Sequence, residues 1–244
     1  MRIISAILIF LFGTGTVVAQ PSPRIKVLAF SQVEPGIYHH LSNLDGIALI
    51  EQIGKKRGWQ VDVTHDRGSF NEKRLAQYDV VAFINTTGNI LNAEQQTAFE
   101  NYIKSGGGFV GTHSAADTEH DWKWYGELVG AYFVSHPEVN QVANVTKENP
   151  GHPANAALGT VMPVMEEWYN YTENVRGKPG FTVLLSIDEK SYKGGTMGDD
   201  HPIAWAHVFD GGRAFYTGLG HTFPPDHPFM ADHLAGGIEW AAGK

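Results

Sequence analysis

The sequence predicts a three-layer α/β domain, with a mostly parallel sheet, helices on both faces and an antiparallel edge. Two observations carry this. Through the first half, short β-branched runs and longer amphipathic ones follow each other as strand-helix-strand-strand-helix-strand, the order in which parallel sheets are wound. In the second half, two strand-like runs meet across Asp210-Gly211-Gly212, a tight turn that joins antiparallel neighbours.

Residues 24–30 (RIKVLAF) read as a buried strand. Ser42 to Arg57 reads as a helix: Ser42 caps it, Leu44, Ile47, Ile50 and Ile53 share a face, and Lys55, Lys56 and Arg57 sit at the negative end of its dipole. Gly58 ends it, and residues 60–64 form the next strand. Residues 79–84 (DVVAFI) are apolar almost throughout, as expected where helices cover both faces. Asn92 and Gln95 open a helix with a capping box, and Gly106-Gly107-Gly108 closes it before a strand at 109–112. Residues 122–133 read as helical. Strands are expected at 140–146, 182–187, 203–209 and 213–218, and a last helix at 228–242.

The first nineteen residues differ from the rest. Arg2, an apolar run from Ile3 to Phe12 and small residues up to Ala19 have the layout of a secretory signal peptide, with a retained N-terminal anchor as the alternative. The run is shorter than the roughly 20 residues a membrane span needs. The expectation is therefore an exported chain, periplasmic or secreted, with residues 20–244 as one domain and no membrane insertion after cleavage. The net charge of −8 falls to −9 without Arg2, the wrong sign for nucleic acid or anionic lipid. Absence of cysteine excludes disulfides, thiolate nucleophiles and thiolate metal sites. With 42% apolar and 11% aromatic residues, the core must supply the stability.

Ligands of open α/β sheets bind beyond the carboxyl ends of the strands. Three strand ends each deliver a histidine there: His40 in Tyr38-His39-His40, His113 in Gly111-Thr112-His113-Ser114, and His221 in Gly218-Leu219-Gly220-His221. Twelve histidines are scattered along the chain, so ordinary hydrogen-bonded structural residues compete with a functional set. A strand running into a sharp turn of small residues is the setting of a nucleophile elbow, with His113 as the lifted residue. Ser114 as nucleophile, or a plain strand-to-helix turn, are the alternatives.

Gly106 to Asp117 resembles the central motif of the ThuA-like (trehalose-utilisation) family. Residues 197–205 (MGDDHPIAW), 212–222 (GRAFYTGLGHT) and Tyr38 to Ser42 are similar to further family blocks, and the resemblance runs from about residue 25 to 242. It implies a flavodoxin-like sheet of the class I glutamine amidotransferase type. It also implies that His113 stands at the amidotransferase nucleophile position and His221 at that of its histidine. Phe223 replaces the acid that would follow, so the amidotransferase reaction itself should be absent.

Such histidines suit two chemistries. With Asp117 or Glu167 as an oxygen ligand, His40, His113 and His221 form a candidate site for Zn²⁺ or a similar divalent transition ion, although no HExxH spacing is present. Without metal, one imidazole abstracts a proton and another group donates one. The central catalytic set is His113 and His221, with Asp117 expected to orient one of them. Aromatic and polar groups around it suit a small carbohydrate: His40, Trp124, Glu167, Trp168, Tyr171 and His201 are the candidate contacts, with Trp168 and Tyr171 as a stacking platform. His136 and His152, each before a proline, are expected to shape loops, and His65, His120, His207, His227 and His233 to be structural or solvent-facing. The resemblance implies breakdown of a disaccharide or 3-keto-glycoside by hydrolysis, elimination or isomerisation. A non-catalytic glycan-binding module and a metal-dependent hydrolase of an ester or amide remain the other readings.

Overall fold

The structure, a computed structural model, describes residues 25–36, 42–224, 227 and 229–243. The segment expected to be a signal peptide, the expected linker before residue 25 and His40 lie outside the described residues.

Nine strands form one sheet in the order β2-β1-β3-β4-β11-β10-β9-β6-β7. The parallel part consists of β1 (Lys26–Phe30), β2 (Gln60–Thr64), β3 (Val80–Ile84), β4 (Gly108–Thr112) and β11 (Gly212–Thr217), all mutually in parallel register. Its order is that of a flavodoxin-like sheet. The remaining strands, β10 (His201–Phe209), β9 (Phe181–Ile187), β6 (Gln141–Lys147) and β7 (Val161–Glu166), continue the sheet antiparallel. The antiparallel edge is thus four strands wide. The last strand in the chain lies in the middle of the sheet, between β4 and β10.

The strands of the parallel part alternate their buried side chains between two faces, which makes two cores. Val27, Ala29, Val80, Ala82 and Ile84 pack under Ile47, Ile50 and Ile53 of helix α1 (Ser42–Arg57) and Leu234 and Ile238 of the C-terminal helix (Met230–Ala241). On the opposite face, Leu28, Phe30, Val81 and Phe83 meet Phe99 and Ile103 of α3 (Ala93–Lys104) and Tyr125 and Leu128 of α4 (Lys123–Val129). A short helix, α2 (Glu72–Leu75), packs beside α3, and the C-terminal helix is α5. Phe83 stands at the centre of an aromatic cluster with Phe30, Phe70, Phe99 and Phe109, ring centroids 5.3–5.5 Å away.

The capping box of α3 forms as expected, with Asn92 Oδ1 accepting from Gln95 N and Gln95 Oε1 from Asn92 N. The Asp210-Gly211 turn takes positive φ at both residues, 48° and 97°, as a two-residue hairpin requires. Residues 122–133 do not form one helix. Helix α4 stops at Gly130, whose φ of 101° and 2.6 Å clearance to the Trp205 indole nitrogen admit no side chain. The chain then turns into β5 (Phe133–Ser135), which pairs with β8 (Asn170–Tyr171) in a separate two-stranded sheet. Strand β7 was not expected because Pro163 interrupts its alternation. At a sheet edge, though, proline's missing donor is tolerated.

Gly236 of α5 sits where a Cβ would overlap the Pro153 carbonyl. Alanine would gain about 1 kcal/mol of helix propensity. A backbone clash in a packed core costs about 1–3 kcal/mol. Gly236→Ala is therefore expected to lower the urea midpoint; a raised midpoint would mean that α5 shifts freely.

Candidate functional site

The site lies beyond the carboxyl ends of β3, β4 and β11. Strand β4 ends at Thr112, and the next residue, His113, takes φ 44° at the start of a 3₁₀ turn (His113–Asp117). That left-handed backbone is uncommon outside glycine and is the strain of an elbow. It is held from outside: Tyr216 Oη donates to the His113 carbonyl at 2.8 Å. The ring is buried, 3% exposed, and lies against Tyr169 with centroids 4.0 Å apart. His113 Nδ1 donates to the Gly218 carbonyl at 2.9 Å. Nε2 faces Glu167 Oε2 at 3.2 Å.

Strand β11 runs into Gly218-Leu219-Gly220-His221. His221 Nδ1 lies 3.2 Å from the same oxygen, Glu167 Oε2. The two imidazole rings stand edge to face, 5.3 Å apart. Glu167 follows β7, so the centre joins the parallel part of the sheet to its antiparallel margin. His136 Nδ1 approaches the other oxygen, Glu167 Oε1, at 3.4 Å.

The His221 loop is clamped on two sides. Glu166, 2% exposed, accepts from Gly220 N at 2.8 Å, His221 N at 3.1 Å and Glu167 N at 2.9 Å. Asn85, at φ 47° after β3, donates to the Gly220 carbonyl at 2.7 Å and accepts from Thr112 Oγ1 at 2.7 Å. Burial raises the Glu166 carboxyl above its ordinary range, with the nearby histidines and backbone donors opposing. Burial would raise Glu167 as well, but hydrogen bonds and charge from His113 and His221 outweigh it and hold that carboxyl well below its usual value. The Glu167 hydrogen bond raises His221, against desolvation.

These groups line a cleft of about 320 Å³. Its walls include Val33, Asn85, Asp117, Phe133, His136 and Tyr169. The size falls in the range of roughly 300–1,000 Å³ typical of small-molecule sites.

The expected residues divide clearly. His113, His221, Glu167 and Asp117 share the cleft. Asp117 orients neither central histidine; its carboxylate bonds His120 Nε2 at 2.9 Å, and burial raises its pKa. The carboxylate that bridges His113 and His221 is Glu167. Trp168 is no platform: it is 2% exposed, its indole donates to the Gln141 carbonyl, and it belongs to the core under α5. Tyr171 is buried against Tyr216 and Trp205. Trp124 stacks on Trp122 and donates to Asp210, on the face where α3 packs. His201 is fully buried; its Nε2 donates to the Tyr169 carbonyl and its Nδ1 meets Glu189, so it supports the cleft wall from behind.

The sequence does not single out Tyr169, Phe133, Asn85 or Glu166 for the site, and His136, expected only to shape a loop, lies in the cleft beside Glu167. One signal was available for Tyr169. In an extended segment residues 167 and 169 share a face, and 168 points the other way. Phe223 is buried against Gly46 and Gly220, so the carboxylate beside His221 comes from Glu167 on another strand.

Among the described residues no helix is long and apolar enough to cross a membrane. No curated protein matches the sequence. Solved structures do. A ThuA-like protein from Bacteroides uniformis is 24% identical, with 91% of this chain and 93% of that chain covered at a TM-score of 0.77. A second, from Parabacteroides merdae, is 19% identical, with 91% of each chain covered at 0.72. A cytoplasmic protein from Salmonella typhimurium is 13% identical, with 89% and 99% covered at 0.62. These likenesses establish the fold. The sequence itself matches the ThuA family, described by trehalose utilisation, over residues 26–241, and the chain belongs to that family.

Proposed function

We propose that this protein is an exported enzyme acting on a small carbohydrate, a disaccharide or its 3-keto form, by proton removal next to a ketone. The observation that supports this best is the convergence of His113, His221 and Glu167 on the floor of a cleft that also holds Asp117. Asp117 is a carboxylate of raised basicity in the same cleft. Phe133, half-buried in the cleft wall, offers apolar surface to sugar C–H groups, while carboxylate and amide groups meet hydroxyls. The family description supports the carbohydrate, and the leader-like residues 1–19 support export.

In this reading Asp117 takes the proton from the carbon beside the ketone. The electron pair moves onto the carbonyl oxygen, where a protonated His221, its proton favoured by the Glu167 hydrogen bond, stabilises the negative charge. The resulting enediolate is reprotonated for isomerisation, or expels the neighbouring glycosidic oxygen, which takes up the proton held by Asp117 and leaves as an alcohol, for elimination.

The test is solvent deuterium exchange into a 3-keto-disaccharide, followed by NMR. The wild type is expected to exchange the proton beside the ketone. Asp117→Asn and His113→Asn should slow exchange by about 10²–10⁴-fold. Asparagine is chosen at 113 because it accepts left-handed backbone. Full exchange by His113→Asn would remove the assignment. Tight sugar binding without exchange or turnover in the wild type would make the protein a glycan-binding module instead.

A further inference from the structure

We infer that His113 Nε2, His221 Nδ1 and the Glu167 carboxylate form a binding site for one divalent transition metal ion of the zinc type. The hydrogen-bond accounting at His113 points there first. Its Nδ1 is 2.9 Å from a backbone carbonyl, which can only accept, so Nδ1 carries the proton. In the neutral ring, Nε2 then presents a lone pair. That lone pair is aimed at a carboxylate oxygen 3.2 Å away, another acceptor. Two acceptors pressed together in a buried site need a positive charge between or on them.

The spacing fits a metal ion as that charge. Zinc bonds of about 2.0–2.2 Å in tetrahedral geometry put neighbouring ligand atoms about 3.3–3.6 Å apart. Both imidazole nitrogens lie 3.2 Å from Glu167 Oε2, and the three ligand atoms all fall within 4.8 Å of one another. The surroundings fit as well. A metal-bound histidine typically donates its other N–H to a backbone carbonyl, as His113 does to Gly218. The His221 backbone is fixed by Glu166, which places a second buried carboxylate behind the first.

Two imidazoles with one carboxylate are the donor set of zinc-like ions; magnesium and calcium prefer oxygen throughout. Among the described residues the cleft floor offers three protein ligands, the number that catalytic zinc sites use. The ligand set stands on geometry alone. Only its role, polarising the carbonyl oxygen of a keto-sugar, rests on the function proposed above.

The test is titration of the chelator-stripped full chain, lacking an affinity tag, with Zn²⁺ by calorimetry and with Co²⁺ by visible absorption. One equivalent is expected, with the d–d bands of four-coordinate cobalt. His221→Ala and Glu167→Gln should each weaken binding by about 10²-fold or more, with unchanged circular dichroism. Glu127→Gln, an exposed carboxylate on α4 that does not line the cleft, should bind as the wild type. No saturable binding by the wild type up to about 100 μM metal, or wild-type affinity in both ligand variants, would overturn the site. Metal binding in a protein that ignores keto-sugars keeps the site and removes the sugar reading. Full keto-sugar exchange by metal-free protein that still binds one equivalent keeps the ligand set and removes its catalytic role.

Discussion

Glu166→Ala is expected to destabilise the fold by about 3–5 kcal/mol and to release the His221 loop. The carboxylate accepts from three backbone N–H groups, those of Glu167, Gly220 and His221. Alanine leaves one buried donor, Gly220 N, and two part-buried ones unmet, at up to about 1–3 kcal/mol each. Water entering the cavity and partial collapse of the loop reduce the sum. Glu166→Gln separates the hydrogen bonds from the charge. Its amide oxygen can keep the two donors that Oε1 holds, but its NH₂ group faces a remaining N–H. The loss should be smaller, about 1–3 kcal/mol. Urea unfolding reads both values, and the histidine NMR resonances of the folded variants read the loop. A Glu166→Ala protein as stable as the wild type, with His221 unmoved, would mean that the clamp on the loop is supplied by Asn85 alone.

Acid should unfold this protein early, in a window set by buried histidines rather than by carboxylates. His152, His207 and His233 are all buried, and desolvation pushes each from 6.5 to about 4. His207 lies flat on Phe181 at 3.9 Å, and His233 sits between the Ala154 carbonyl and Thr217 Oγ1. Below pH 6.5 the unfolded chain takes up protons that the folded chain refuses. Stability therefore falls as pH drops from about 6.5 to about 4, by an upper bound of about 3 kcal/mol per site. Three such sites together approach the whole stability of a typical domain, about 5–15 kcal/mol. Glu167, whose pKa is depressed, adds stability that is lost only below the ordinary carboxylate range. His221, whose pKa is raised, adds stability that grows as pH falls toward 6.5 and is fully present below it, so it opposes the loss only at the upper end of the range. Denaturant titrations between about pH 7.5 and 5 should show a steep loss. In His207→Phe the proton uptake on unfolding should fall by one. A flat profile would show that these rings are protonated in the native state.

The parallel half of the fold was legible because its strands are covered on both faces and its helices carry caps and glycine stops, as at Asn92 and Gly58. The antiparallel half was less so. Strand β7 has a proline in its middle, and β5 and β8 are too short to show a period. The same division governs the site. His113 and His221 follow strands whose ends the sequence marks, and both reach the cleft. Glu167 was counted as a substrate contact and an oxygen donor, yet its place between the two rings depends on β7 docking far from them in sequence. Trp168 and Tyr171 were chosen for their chemistry, and the packing of the sheet interior claims both. Asp117 is four residues from His113, but the 3₁₀ turn carries its carboxylate toward His120 instead.

The central position of β11 has a consequence for how the molecule comes into being. The strand that completes the middle of the sheet is made last, so β4 and β10 cannot be bridged until almost the whole chain exists. Of the three groups that meet on the cleft floor, His113 and His221 each lie 54 residues from Glu167, and no contiguous fragment short of the full span holds all of them. Pairing of such distant segments is slow to nucleate. A nascent or truncated chain therefore carries a lone elbow or a lone carboxylate, and the cluster on the cleft floor is assembled in one step, with the closing of the sheet.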